Sequence, residues 1–266
     1  MNKERIDVLL VERGFFETRE KAKRNIMAGL VFVNNEKIDK PGEKVDVTKE
    51  IIVKGNVCPY VSRGGYKLEK ALQAFDIDIK NKIMLDIGAS TGGFTDCALQ
   101  NGVKLVYAVD VGYNQLDWKM RSHKQVISIE RCNFRYATTE LFTKGLPEFA
   151  SIDVSFISLR LILPVLKTIL VENGEVVALI KPQFEAGKAL VGKKGIVRDK
   201  SVHLAVINEI IDFCELIHFE VLNLTFSPIK GTEGNIEFLL HLKNNETLEK
   251  NKINIEKVVN LAHELK

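Results

Sequence analysis

With 266 residues, 45% hydrophobic and 27% charged, the chain has the composition of a soluble globular protein and the length for one large domain with a small companion. Its net charge of +3 is too small to require a polyanionic partner, so where the charge sits matters more than its sum. The longest apolar stretch, residues 156–171, is broken by Arg160, Pro164 and Lys167, and residues 1–14 are charged throughout; stable membrane insertion and a secretory leader are not expected, and a cytoplasmic location is. Cys58, Cys97, Cys132 and Cys214 lack the paired spacing of a zinc site and read as reduced, buried thiols, so no metal is expected.

Ile6, Leu9 and Leu10 form a helical stripe that Gly14 ends, and Thr18 caps a second helix over 19–28, stopped by Gly29. Val31 and Val33 alternate into a turn at Asn34 and Asn35, and Val45, Val47, Ile51 and Val53 supply two more short strands. Residues 1–54 are thus read as a small α+β domain and residues 55–60, with Gly and Pro, as a linker. On the second helix Ala22 and Ile26 share one face, while Arg19, Lys21, Lys23 and Arg24 crowd the others. Charge alone makes that an ordinary solvated surface.

From residue 61 onward apolar strands alternate with helical segments. Strands are expected at 83–86, 104–110, 126–129, 149–153 and 175–180, with a helix over 93–101 after the first. This alternation indicates a parallel sheet covered on both faces. Strands at 221–226 and 236–242, joined by S-P-I-K-G-T-E-G-N, suit an antiparallel edge pair. Residues 61–244 therefore read as a Rossmann-like α/β domain with a mostly parallel, seven-stranded sheet, a layout that resembles the methyltransferase sheet. Within residues 245–266, the amphipathic stretch 253–265 is expected to form a helix that packs on it.

Ligands of such sheets sit at the carboxyl ends of the strands, where the motifs fall. L-D-I-G-A-S-T-G-G-F resembles the glycine loop of an S-adenosylmethionine (SAM) methyltransferase, so SAM is the expected cofactor. Gly88, Gly92 and Gly93 would let the backbone approach it, with Asp86 ending the strand, Ser90 replacing the middle glycine of a dinucleotide fingerprint, and Phe94 closing the run. Asp110 ends the next strand, where an acid can hold both ribose hydroxyls. Asn133, past the third strand, is placed either to meet the adenine edge or to cap a turn.

Four ionisable residues stand at further strand ends or helix starts: Lys67 in S-R-G-G-Y-K, Asp153 in D-V-S-F, Lys181 in V-V-A-L-I-K-P and Glu237 in G-N-I-E-F-L-L. Methylating a hydroxyl requires removing a proton from a poor nucleophile. A lysine does this without a metal if burial and a second cation bring its pKa toward neutrality. Lys181 leaves a buried strand at the working edge of the sheet, and Asp153 could orient it. Read singly, Lys181 is also an ordinary strand-end lysine, Asp153 a helix N-cap, and Lys67 and Glu237 surface charges.

S-R-G-G-Y-K, D-V-S-F-I-S-L, K-P-Q-F-E-A-G, V-G-K-K-G-I-V-R-D and S-P-I-K-G-T-E-G-N-I-E-F together resemble the TlyA, or haemolysin A, family. Its catalytic domain is similar to FtsJ-type ribose 2′-O-methyltransferases. The order from R-I-D-V-L-L to D-K-P-G resembles the S-four-type RNA-binding domain that precedes it. The resemblance implies that Lys67, Asp153, Lys181 and Glu237 match the catalytic tetrad. Lys181 would be the base, Asp153 would orient it, Lys67 would depress its pKa, and Glu237 would position Lys67 or the target ribose. It implies methylation of cytidine 2′-OH groups in ribosomal RNA, of the large subunit and in some members also the small one. Arg19, Lys21, Lys23 and Arg24 would contact RNA phosphates. Arg5 and Arg63 are expected to join them, as are Lys188, Lys193, Lys194 and Arg198 in a glycine-rich loop that would close over the RNA. DNA is not an expected partner. Two other readings are a membrane-active haemolysin and an RNA-binding protein with an inactive catalytic domain.

Overall fold

The computed structural model describes residues 3–54, 58–245 and 251–265, and the chain divides into two compact units, Met1–Arg63 and Gly64–Lys266. Half of the expected linker, residues 55–57, lies outside the described residues.

The smaller unit runs β1 (Lys3–Arg5), α1 (Ile6–Glu12), α2 (Arg19–Met27), β2 (Val31–Val33), β3 (Glu36–Ile38), β4 (Lys44–Asp46) and β5 (Ile51–Val53). β1 pairs antiparallel with β4, and β2 lies between β3 and β5 in a second antiparallel sheet. The β2–β3 hairpin turns on Asn34 and Asn35, with φ of 48° and 65°, the left-handed pair that matches the twist of a tight hairpin and that Asn tolerates. Thr18 Oγ1 accepts the Lys21 N–H at 3.3 Å and starts α2. Ile6, Leu10, Ala22, Ile26 and Val31 meet in the core of this unit.

The larger unit runs α3 (Gly64–Phe75), β6 (Ile83–Ile87), α4 (Gly93–Gln100), β7 (Leu105–Val109), α5 (Trp118–Arg121), β8 (Val126–Ile129), β9 (Phe149–Ile152), α6 (Leu163–Ile169), β10 (Glu175–Ile180), α7 (Pro182–Glu185), α8 (Lys200–Leu216), β11 (Phe219–Phe226), β12 (Phe238–Asn244) and α9 (Ile255–His263). Its seven strands lie in the order β11-β12-β10-β9-β6-β7-β8. β12 runs antiparallel to both neighbours and the other pairings are parallel, which is the Rossmann-like methyltransferase sheet with an antiparallel edge pair. All five residues of β6 are buried, and burying Leu85 or Ile87 stabilises the fold by about 1.5–3 kcal/mol each. Leu163 and Leu166 of α6, Val206 and Ile210 of α8, and Val259 and Ala262 of α9 share one core with them. On the other face lies α4, whose Thr95 hydroxyl reaches Asp86 across 2.7 Å. Among the described residues, no helix is long and apolar enough to cross a membrane.

Candidate active site

β6 lies at the switch point of the sheet: the chain crosses from it to β7 on one side, and β9 joins it on the other. Ligands of such sheets bind in the crevice outside the strand ends there. A cleft of about 450 Å³ occupies that place, lined by Gly88 and Ser90 after β6, Asp110 after β7, Asn133 after β8, and Asp153 to Ile157 after β9. Four of the residues expected at the cofactor therefore line it. The other four, Asp86, Gly92, Gly93 and Phe94, are buried and build the turn behind it.

The glycines have packing reasons. Gly88 has φ +85°, and a Cβ there would stand 2.5 Å from the Asp153 carbonyl oxygen, so the loop is pressed against the next strand end and not only against a ligand. Gly92, with φ +92°, caps α4 where a Cβ would meet Leu116 and Met120. Asp86 accepts from Thr95 Oγ1 at 2.7 Å and Ser151 Oγ at 3.0 Å, inside the sheet. Burial pushes its carboxyl up to about 6, against those two hydrogen bonds. Asp110 faces the cleft, its Oδ2 accepting Ser90 N–H at 2.8 Å and its Oδ1 accepting Gly112 N–H at 2.7 Å. Asn133 caps a short turn by accepting Arg135 N–H at 3.2 Å, which is the second of its two expected roles. Val111, Gln115, Phe134 and Ile162 also line the cleft and were not singled out in the sequence, and Cys132, expected as a buried thiol, is half-buried on the same wall. As apolar or neutral residues in strand-end loops, they carried no distinguishing signal.

Lys67, Asp153, Lys181 and Glu237 meet beside this cleft, from α3, the end of β9, the end of β10 and the residue before β12. Lys67 Nζ lies 2.7 Å from Glu237 Oε2 and 3.2 Å from Asp153 Oδ2, while Lys181 Nζ lies 2.5 Å from Asp153 Oδ1. Lys67 and Lys181 are each 7% exposed and Glu237 only 2%, so none is a surface charge. Burial acts to lower the Lys67 pKa, but Asp153 and Glu237 outweigh it and raise it. Burial likewise acts to raise Asp153, and the charges of Lys67 and Lys181 overcome it and hold the carboxyl below its ordinary value. Asp153 divides its two oxygens between the lysines, and Lys67 is bracketed by two carboxylates. Its geometry is that of an anchor for Asp153.

Lys181 also donates to Ser155 Oγ at 3.1 Å, a partner inside D-V-S-F that the sequence did not single out. Phe156, next in the chain, is 90% exposed with φ +63°, a left-handed conformation that costs an aromatic residue about 1–3 kcal/mol and persists only where its surroundings hold it. Gly231 makes room for Glu237: a Cβ there would stand 2.0 Å from Oε1.

The expected RNA-contacting residues divide by partner. Asp7, fully buried, holds Arg5 Nε at 3.0 Å and an Arg19 guanidinium nitrogen at 2.9 Å, leaving both side chains about half exposed. Burial raises the Asp7 carboxyl, but the hydrogen bonds from the two arginines prevail and bring it down to about 2. Lys21 pairs with Glu17, just ahead of α2, and Lys23 with Glu20 in its first turn. Arg24 is partly buried, while Arg63, Lys188, Lys194 and Arg198 are exposed; the Lys193 side chain lies outside the described residues.

A model of the S4 domain matches residues 4–51, and a model described as FtsJ-like methyltransferase matches residues 60–244. The Bacillus subtilis protein YqxC is 65% identical over 240 residues, 90% of this chain and 85% of its own. The Mycobacterium tuberculosis protein named 16S/23S rRNA (cytidine-2′-O)-methyltransferase TlyA is 38% identical over 240 residues, 90% of this chain and 89% of its own. A solved structure from Streptococcus thermophilus that carries the name hemolysin is 56% identical, covers 99% of this chain and 97% of that one, and has a TM-score of 0.80. The matched stretch holds the whole cleft and all four ion-paired side chains, and the chain belongs to the family of FtsJ-like methyltransferases.

Proposed function

We propose that the chain transfers a methyl group from S-adenosyl-L-methionine to the ribose 2′-hydroxyl of cytidine in ribosomal RNA. The observation that carries this reading is the ion-paired run Lys181, Asp153, Lys67, Glu237 beside the switch-point cleft. The cleft suits SAM: the Asp110 carboxylate, fixed by two backbone N–H groups, offers its remaining lone pairs to sugar hydroxyls, and Val111, Phe134 and Ile162 offer an apolar wall to a purine. When bound, SAM supplies an electrophilic methyl group on a cationic sulfur. The residues of the chain do the rest. Lys181, as the neutral amine, accepts the proton of the 2′-hydroxyl. Asp153 aims Lys181 and places negative charge at the cleft, where the cationic sulfur of SAM would be held. Lys67 and Glu237 hold Asp153 in place, and removing either would leave a buried charge uncompensated.

The rRNA substrate is supported by the S4 match and by the activity for which the mycobacterial relative is named. On this reading Arg5 and Arg19 are a pre-set pair of phosphate contacts in the smaller unit, and the exposed Lys188, Lys194 and Arg198, in the segment that follows Lys181 in the chain, are phosphate contacts of the larger one. With ribosomal subunits as its partners, the expected site of action is the cytoplasm. The test is incubation with labelled SAM and ribosomal subunits, followed by digestion to nucleosides. Label in 2′-O-methylcytidine is expected; label on a base atom would overturn the assignment.

A further inference from the structure

We propose that Glu185 is a positioning residue for this methyl transfer, locking the loop after β9 to the segment after β10 and thereby fixing where Ser155 meets the Lys181 amine. The proposal rests on the reading of Lys181 as proton acceptor. Glu185 closes α7, four positions past Lys181, and it spends both carboxylate oxygens on the facing loop. Oε2 accepts the Ser158 hydroxyl at 2.6 Å and Oε1 accepts the Leu159 N–H at 2.8 Å. Ser158 Oγ in turn accepts Arg160 N–H at 3.1 Å and caps the short turn Leu159–Leu161.

Two more ties cross the same gap. Lys181 Nζ reaches Ser155 Oγ at 3.1 Å, and the Phe156 and Phe184 rings lie 4.9 Å apart. Positions 155, 156 and 158–159 are thus stitched in order to 181, 184 and 185. The loop needs such a seam, because its middle residue, Phe156, has φ +63° and its backbone alone would relax elsewhere. A carboxylate is the strongest acceptor in the seam, and hydrogen bonds to it are shorter and stronger than neutral ones. Loosening it frees Ser155. The Lys181 amine is then aimed by Asp153 alone, and its acceptor direction toward the cleft is no longer fixed.

The test uses the full chain carrying Glu185→Gln, which keeps one acceptor and presents a donor where the second acceptor stood. The expected result is a kcat lowered by about 10- to 100-fold, the scale on which misplacement of a reacting group acts. KM for SAM should change far less than kcat, and the thermal midpoint should stay at its wild-type value. Ser158→Ala should lower kcat in the same way, and the double variant should be no slower than the slower single one. Wild-type kcat in Glu185→Gln, additive effects in the double variant, or a loss of kcat matched by loss of cofactor affinity and thermal midpoint would each overturn the proposal. A crystal structure of Glu185→Gln reads the same point without turnover, since the contact between Lys181 and Ser155 should open. An unchanged contact would overturn the proposal whether or not the wild type methylates RNA. An inactive wild type whose variant shows a displaced loop would instead sink the functional reading and leave the clamp standing.

Discussion

Lys181 is held by Asp153 and Ser155, and only its neutral amine can take a proton from a ribose hydroxyl. Lys181→Ala is expected to abolish methyl transfer while SAM and RNA affinity persist. Lys181→Arg should not rescue it, because a guanidinium stays charged at any working pH. Single-turnover rates decide this, and near wild-type transfer by the arginine variant would place the base elsewhere. Asp86 carries a different signature. Its folded pKa of about 6 stands above the ordinary 3.8, so the folded state binds its proton more tightly than the unfolded chain does. The stability this confers is fully present below about 3.8 and is lost as pH rises to about 6, a change worth about 3 kcal/mol. Urea unfolding across that range should show the fall in wild type and its absence in Asp86→Asn; parallel curves would contradict it. The acid was legible in the sequence but its direction was not. Alternation along β6 sends Asp86 to the α4 side, away from the cleft, and a strand-end acid reads the same either way.

At the scale of elements, α2 gathers its cations unevenly. Lys21 and Lys23 face Glu17 and Glu20 in exposed pairs, whereas Arg19 is oriented by buried Asp7. Neutralising Arg19, Lys21, Lys23 and Arg24 together should weaken RNA binding and flatten its dependence on salt, and Arg19→Ala alone should weaken it more than Lys21→Ala. Binding isotherms at several salt concentrations measure both, and an unchanged slope would remove this surface from the interface. The seven strands of the larger unit were legible because apolar runs between turn residues have few other readings, whereas β1, K-E-R, has no apolar run and was not read. Helices α3 and α8 were not read. α3 opens on Gly64 and Gly65, which ordinarily weaken a helix, although Leu68, Ala71 and Leu72 follow with helical spacing. α8 had its signal: Asp199 accepts Ser201 N–H at 2.8 Å, and Val206, Ile207, Ile210 and Cys214 form one stripe. Ser155 and Glu185 lay inside motifs already quoted, but their roles come from two loops distant in sequence, and spacing cannot report that.

On the scale of the whole molecule, every residue lining the cleft belongs to the larger of the two units. SAM at a hundred times its Kd should stabilise the fold that holds it by about 2.7 kcal/mol. For a unit of this size that is a rise of about 5–10 °C in its thermal transition. Calorimetry should show the rise in wild type and its reduction in Asp110→Ala. An equal rise in both would remove Asp110 from the cofactor site. The order of apolar segments was enough to read this unit as a mostly parallel sheet with an antiparallel edge. The ion-paired run was not readable from order alone: its members come from four separate stretches, and only the folded sheet brings each within 3.2 Å of the next in the run.

That run holds two cations and two anions, so the centre of the site is electroneutral when all four are ionised. Once Lys181 gives up a proton the centre becomes net negative, facing a polyanion. The reacting groups therefore supply no pull on RNA, and capture falls to arginines and lysines elsewhere on the chain. Capture and turnover should then part company under ionic strength. Raising it should depress kcat/KM for RNA steeply while leaving the rate of the saturated complex nearly flat.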